Sequence, residues 1–213
     1  MGPFAANWLV ERINRDCVQQ AAVRYARGRV LDAGCGRRPY AGYFTCYVGL
    51  EFDRARYANC PADVWGSGMD LPFGDRSFET VFSSQVLEHV PEPWRMVEDM
   101  ARVLKPGGHL ILTAPHIWGL HEVPHDYFRF TSYGLQHLAR RAGLEPVEVR
   151  AMAGYWVTAG TRFCYYLRRF ARGPLKPLVS LFFAPIQLMA WGLDRIHRVE
   201  SDAWNFLLVA RRA

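Results

Sequence analysis

The run Val30-Leu31-Asp32-Ala33-Gly34-Cys35-Gly36 restricts the fold of this chain more than any other segment. Arg29 to Ala33 is a short apolar stretch of strand length, and it runs directly into glycines. Glycines two apart let the backbone turn sharply and let a small ligand approach without meeting a Cβ. Such a turn belongs at the carboxyl end of a parallel strand, where open α/β sheets keep their ligand sites.

The rest of the chain supplies the alternation that such a sheet needs. Residues 5–26 read as an amphipathic helix, with Trp8, Leu9, Ile13, Val18 and Ala22 near helical spacing. Residues 46–51, 78–83 and 109–113 read as strands, the last launched by the turn Lys105-Pro106-Gly107-Gly108. Pro39 suits the first turn of a helix, where its missing N–H costs nothing. Residues 93–104 place Trp94, Val97, Met100, Ala101 and Leu104 on one helical face. Thr131 is suited to cap a helix through Arg141, stopped at Gly143, and residues 146–151 and 204–210 are two further strands. Strands alternating with helices imply an α/β fold whose mainly parallel sheet is covered on both faces. A chain of 213 residues is long enough for one domain with a substantial core. Its expected parts are an N-terminal helical segment (1–27), a ligand-binding core (28–152), a helical insertion (153–202) and a final strand (203–213).

Charge is unevenly distributed. Residues 1–161 hold 17 basic and 17 acidic side chains, whereas residues 162–213 hold 9 and 3, which accounts for the net +6. A nucleic-acid enzyme would carry its basic residues around the cleft, so no nucleic-acid partner is expected. Here the excess sits in a late apolar segment, where two helices are expected, about 155–171 and 175–198, divided by Gly173-Pro174 and Lys176-Pro177. Residues 178–193 carry no charge, but the stretch falls short of the ~20 residues a spanning helix needs, and Pro185 interrupts it. Flanking Arg168, Arg169, Arg172, Lys176, Arg195 and Arg198 suit an interfacial helix pair, with 155–200 lying on an anionic membrane. A lid over the substrate cleft and a homodimer contact are the competing readings. The five cysteines form no CxxC pair, and residues 1–15 show no secretory leader. The expected location is cytoplasmic, or peripheral to the inner face of the membrane.

The ligand class follows from what accompanies the glycines. A dinucleotide site adds a third glycine so that a helix N-terminus can meet the pyrophosphate, but here Arg37, Arg38 and Pro39 follow Gly36. S-adenosylmethionine has no pyrophosphate. Asp32 can hold its ammonium, directly or through water, while N–H groups of the loop Gly34, Cys35 and Gly36 face its carboxylate. Glu51, 19 residues beyond Asp32 at the end of the next strand, can accept both ribose hydroxyls, and Asp53 can share that role.

With these residues in place the chain resembles the class I methyltransferases, in particular the small-molecule group that carries a Leu-Pro-Phe motif (methyltransferase type 11). The matching runs are Val30 to Gly36, Val48-Gly49-Leu50-Glu51, Asp70-Leu71-Pro72-Phe73, Ser77-Phe78-Glu79, Ser84-Gln85-Val86-Leu87-Glu88-His89-Val90 and Arg102-Val103-Leu104-Lys105-Pro106-Gly107-Gly108. They fall in order across residues 28–115. The resemblance implies a three-layer, Rossmann-like, seven-stranded sheet with an antiparallel last strand and a helical insertion before it. It also implies that Ser67, Gly68, Met69 and Asp70 edge the adenine, with Leu71 packing nearby and Ser84 and Gln85 facing the methionine moiety. Relatives carry an Asp where Ser67 stands, so Asp70 is the candidate for the adenine amino group.

Methyl transfer from a sulfonium needs chiefly alignment, with a base only where the nucleophile keeps a proton. The family therefore lends no universal catalytic residue. The segment from His116 to Thr131 follows a strand end and is dense in polar groups. His125 is the candidate base, oriented by Asp126, with His89 a second candidate; His116, Tyr127 and Arg129 are candidates for binding the acceptor, Arg129 through an acidic group. The spacing of His116, His121 and His125 is interrupted by Pro124, and no metal is expected. The expected function is methylation of an O, N or C atom of a small molecule, lipid-linked and saccharide acceptors included. The alternative is a cofactor-binding or membrane-associated member of the fold that has lost transfer activity.

Overall fold

A computed structural model describes residues 2–52 and 59–213. Seven strands form one sheet in the order β3-β2-β1-β4-β5-β7-β6. They are β1 (Arg29–Ala33), β2 (Cys46–Glu51), β3 (Val64–Trp65), β4 (Phe78–Ser84), β5 (Leu104–Pro115), β6 (Leu144–Ala151) and β7 (Asn205–Arg212). The helices are α1 (Trp8–Tyr25), α2 (Pro93–Val103), α3 (Ser132–Arg141), α4 (Tyr155–Leu167), α5 (Leu175–Leu181) and α6 (Phe183–Ile196). Pairing from β3 through β5 is parallel, and the sheet is mixed, with its last strand antiparallel, as expected.

The central strands are buried on both faces, which is why they read as unbroken apolar runs rather than alternating ones. Leu31, Phe78, Val81, Phe82, Leu110 and Ile111 are all fully buried. Helix α2 starts with Pro93 at its first turn and turns Met96, Val97, Met100, Ala101 and Val103 into the core. Helix α3 is capped as read from the sequence: the Thr131 hydroxyl accepts the Gly134 N–H at 3.0 Å.

Three local expectations are corrected. After Pro39 the chain forms only a 3-10 turn, Ala41–Tyr43, instead of an α-helix. The Lys105–Gly108 segment is the irregular start of β5, where the register to β4 shifts and Gly107 adopts φ +77°. The two-residue β3 was too short to leave a periodic signal.

The chain divides into two units by its internal contacts. One comprises Val18–Pro115, Gly119–Arg150 and Phe206–Ala213, and holds the sheet. The other comprises Met1–Cys17, His116–Trp118 and Ala151–Asn205. In this second unit the N-terminal segment and the insertion, separate in sequence, join. Gln187 is fully buried: its Oε1 accepts the Leu9 N–H at 2.9 Å, and its Nε2 donates to the carbonyls of Ala5 and Phe183, each at 3.0 Å. Gly160 lets α4 approach α6, because a Cβ there would lie 2.6 Å from that of Ala190. The insertion has three helices rather than two. Pro185 has no N–H for the Leu181 carbonyl, and the helical path breaks at Phe182. Taken together, Leu175–Ile196 is nevertheless 22 residues long and apolar enough to cross a membrane by length and composition, longer than the uncharged core suggested.

In the sheet unit the Arg212 guanidinium closes the end of α2, donating to the carbonyls of Ala101, Arg102 and Leu104. Arg212→Met is expected to lower stability by about 2 kcal/mol, since three helix-end carbonyls lose a charged donor; urea denaturation of both proteins measures it.

Candidate active site

The carboxyl ends of β1, β2 and β4 frame a cleft within the sheet unit. Its turn after β1 is built by glycines: Gly34 lies at φ +89° and Gly36 at φ +48°. A Cβ on Gly34 would lie 2.3 Å from a Val86 methyl, so the close approach of these loops requires glycine. The N–H groups of Gly34 and Cys35 both donate to the Leu50 carbonyl, at 2.9 and 3.0 Å, tying the turn to the end of β2. Glu51, only 2% exposed, accepts the Gly36 N–H at 2.9 Å and the Phe52 N–H at 2.9 Å.

Two adjoining cavities share Gly34, Phe52, Val86 and His89. The first is mainly apolar, with Leu50, Met69, Val90, Pro91 and Met96 alongside Ser67 and Gly68. The second is richer in polar groups, with Gly36, Glu51, Gln85, Glu122 and His125. Asp32 lies fully buried, where its carboxylate accepts a hydrogen bond from the Tyr47 hydroxyl. Burial pushes its pKa up to about 7, and the nearby negative charge of Glu51 adds to the rise. Arg38, held over the Tyr47 ring at 4.7 Å and paired with Asp63, opposes it.

Several expected residues thus meet at one cleft: Gly34, Gly36, Glu51, Ser67, Gly68, Met69, Gln85, His89 and His125. Others do not. Cys35 is buried, with its N–H committed to Leu50. Asp70 is exposed and lies off the lining, and Leu71 is a core residue whose N–H is taken by Asp99. Arg102 locks that loop further by donating to the Leu71 and Phe73 carbonyls, so the Leu-Pro-Phe run acts as a structural brace. The Ser84 hydroxyl is bonded to Thr113 at 2.8 Å rather than directed at the cleft. Asp53 lies outside the described residues.

The segment after β5 also departs from expectation. Asp126 does not orient His125. It accepts the His121 N–H at 2.9 Å and binds Arg129 at 2.6 and 2.8 Å, a pairing that holds its carboxyl well below the usual range. Arg129 also donates to the Gly119 and Phe128 carbonyls, so its guanidinium braces this loop instead of awaiting an acidic substrate. His125 instead contacts the Tyr127 hydroxyl through Nδ1 at 3.1 Å. His116 belongs to the helical unit, where its N–H donates to the Trp204 carbonyl at 2.8 Å. The residues missed by sequence reading are Glu88, His121 and Glu122. Glu88 was visible within the Leu-Glu-His-Val run, but its complete burial was not. Desolvation there raises its carboxyl to about 8.

A family model described as a methyltransferase domain matches residues 31–112. An uncharacterized methyltransferase of Mycolicibacterium gilvum is 32% identical over 199 residues, covering 85% of this chain and 75% of its own length. Another, from Mycobacterium sp. (strain KMS), is 37% identical over 146 residues; the match spans 62% of this chain and a little over half, 58%, of that protein. Among solved structures, an S-adenosylmethionine-dependent methyltransferase of Thermotoga maritima aligns over 97% of this chain and 93% of its own with a TM-score of 0.62 at 18% identity. The [4+2]-cyclase SpnF aligns over 93% and 79% with a TM-score of 0.60 at 22% identity. At these identities both alignments speak to the fold alone.

The glycine geometry is directly testable. Gly34→Ala, which meets both the left-handed backbone and Val86, should cost about 2–4 kcal/mol. Gly36→Ala has open space around it and should cost only about 1 kcal/mol. Chemical denaturation of the two variants beside the parent compares them.

Proposed function

Because this chain belongs to the class I S-adenosylmethionine-dependent methyltransferases, we propose that it binds S-adenosylmethionine in the cleft between Gly34 and His89 and methylates an O, N or C atom of a small molecule. The observation that carries this reading is the pair of buried carboxylates, Asp32 and Glu51, at the ends of adjacent strands beside a glycine turn. Two carboxyl groups in one desolvated corner favour a ligand that brings a cation and hydroxyl donors. The division of the cleft fits the same ligand. Its apolar half, with Leu50, Met69 and Met96, suits a purine ring, and its polar half suits an amino-acid end.

When bound, the cofactor supplies a methyl on a sulfonium; the acceptor–carbon bond forms as the carbon–sulfur bond breaks, leaving a neutral thioether. The chain's own part is alignment. Asp32 fixes the amino-acid end, Glu51 the ribose, and Met69 and Met96 the base; the Gly34–Gly36 turn, whose three N–H groups are bonded to Leu50 and Glu51 instead of facing a carboxylate, shapes the wall they share. His125, exposed at the polar end of the cleft, is the group suited to take a proton from a hydroxyl or ammonium acceptor, with Tyr127 beside it. SpnF, a cyclase, has the same fold, so what sets a methyltransferase apart is the site and not the sheet.

We further propose that the helical unit docks on an anionic membrane surface. Leu181, Phe182, Met189 and Ile196 are each more than half exposed, and Arg168, Arg169, Arg172 and Lys176 lie beside them in sequence. The buried Gln187 and Asp194, bonded to backbone within the unit, favour a packed element that lies on a bilayer over one that crosses it.

Calorimetric titration with S-adenosylmethionine tests the first proposal. Below pH 7 Asp32 is protonated in the free protein, and binding an ammonium must expel that proton. The affinity should therefore weaken about tenfold for each pH unit below 7 and level off above it, until the cofactor's own amino group deprotonates near about pH 8. Asp32→Asn should bind at least tenfold more weakly and lose this pH dependence; a folded parent chain that binds nothing overturns the assignment. Flotation with vesicles tests the second. Anionic vesicles should recruit the chain and neutral ones should not, and replacing Arg168, Arg169, Arg172 and Lys176 together by Gln should abolish recruitment. Equal recruitment to both vesicle types refutes it.

A further inference from the structure

Among the described residues, Glu88 is fully buried and neither of its carboxylate oxygens has a hydrogen-bond partner. A buried carboxyl in that state is costly, whether ionised or protonated, unless something else occupies the space it faces. Two imidazoles face the same space. His89 Nε2 lies 3.8 Å and His121 Nε2 3.9 Å from Glu88 Oε1, and one ligand atom from each of the three residues falls within 4.8 Å of the others.

These separations are too long for hydrogen bonds, which close at about 2.7–3.2 Å. They are near the spacing of atoms that share one ion, since bonds of about 2.0–2.2 Å in tetrahedral geometry leave their donors roughly 3.5 Å apart. The rings are also turned the right way. His89 Nδ1 lies 2.6 Å from the His125 carbonyl oxygen and so carries the hydrogen. His121 Nδ1 faces the Gly119 carbonyl at 3.3 Å and Asp126 Oδ2 at 3.5 Å. In His89 the outer carbonyl fixes the tautomer that leaves the Nε2 lone pair on the side of Glu88, as around a metal-bound histidine; in His121 the nearer Gly119 carbonyl favours the same tautomer over the Arg129 guanidinium, whose Nη2 lies 3.5 Å from Nδ1. Glu122 Oε2 stands 3.7 Å from His89 Nε2, and both residues line the cleft.

We propose that Glu88, His89 and His121 form a binding site for a divalent first-row transition ion such as zinc or manganese, with its open side at the cleft. Two imidazoles and a carboxylate are a donor set that suits these ions better than magnesium or calcium. The spacing of His116, His121 and His125 pointed away from a metal because Pro124 interrupts it. The fold joins His121 to the Leu-Glu-His-Val run instead. The site stands on its own geometry. Its use rests on the methyl-transfer reading: an ion beside the cleft would hold an oxygen acceptor and favour its deprotonated form, the proton passing to solvent or His125.

The test is calorimetric titration of the chelator-stripped full chain with zinc and, separately, manganese, in the absence of any methyl donor. One equivalent of at least one of these ions should bind, and cobalt(II) should give the visible bands of a site with few ligands. Glu88→Gln and His121→Asn should each weaken binding at least tenfold, whereas His137→Ala, at an exposed position on α3, should bind as the parent does. Circular dichroism checks that each variant is folded; should Glu88→Gln unfold, His121→Asn at a half-buried position carries the comparison. Failure of both ions to bind the parent, or equal affinity in His121→Asn, overturns the proposal. A chain that binds metal but no S-adenosylmethionine refutes only the methyl-transfer reading, and the converse result refutes only the metal site.

Discussion

Everything at the cleft depends on how closely three strand ends can approach at Gly34. The turn after β1 is bonded through two successive N–H groups to one carbonyl at the end of β2, while Val86 beyond β4 closes on the glycine from the other side. No side chain fits between. That constraint brings the Glu51 carboxylate against the Gly36 N–H and sets Asp32 below them in a site water does not reach. The unusual ionisation of Asp32 is thus a product of backbone packing, and the same packing hollows the cleft that a ligand can fill.

The segments legible in the sequence were those whose signal is local. The apolar runs of β1, β2 and β4, the Pro93 start of α2 and the Thr131 cap of α3 all need only a few neighbouring residues to declare themselves. The glycine turn and Glu51 were legible for a related reason, since their positions relative to a strand end fix what they face. What escaped were arrangements made by folding distant segments together. Asp126 was placed next to His125 by sequence proximity, yet it serves His121 and Arg129. Leu71 and Asp70 flank a proline motif that looked like a ligand edge, but Asp99 and Arg102, 28 and 31 residues further on, use that loop as an anchor. Glu88 carried no periodic or compositional mark of complete burial. The helical break at Phe182 could be anticipated from Pro185, though not the fact that the pieces on either side continue as one 22-residue apolar length.

The two units hold polar groups in the interior by contrasting means. In the helical unit, Gln187 and Asp194 are bonded to backbone and act as fasteners. In the sheet unit, Asp32 and Glu88 are buried with unusual protonation equilibria, and they sit at or beside the cleft. A protein tolerates such expense chiefly where a ligand relieves it, and the proposed site in the sheet unit draws on that.

The fastening by Gln187 also has a consequence for biosynthesis. Trp8, Leu9 and Val10 are synthesised well before the other wall of their unit, which begins at Ala151. At ordinary translation speeds the nascent amphipathic helix waits on the order of ten seconds for its partner. During that interval the sheet segments emerge, while the apolar face of the early helix lacks the wall it will pack on. Residues 8–10, made before the sheet, are therefore among the last to reach their final place.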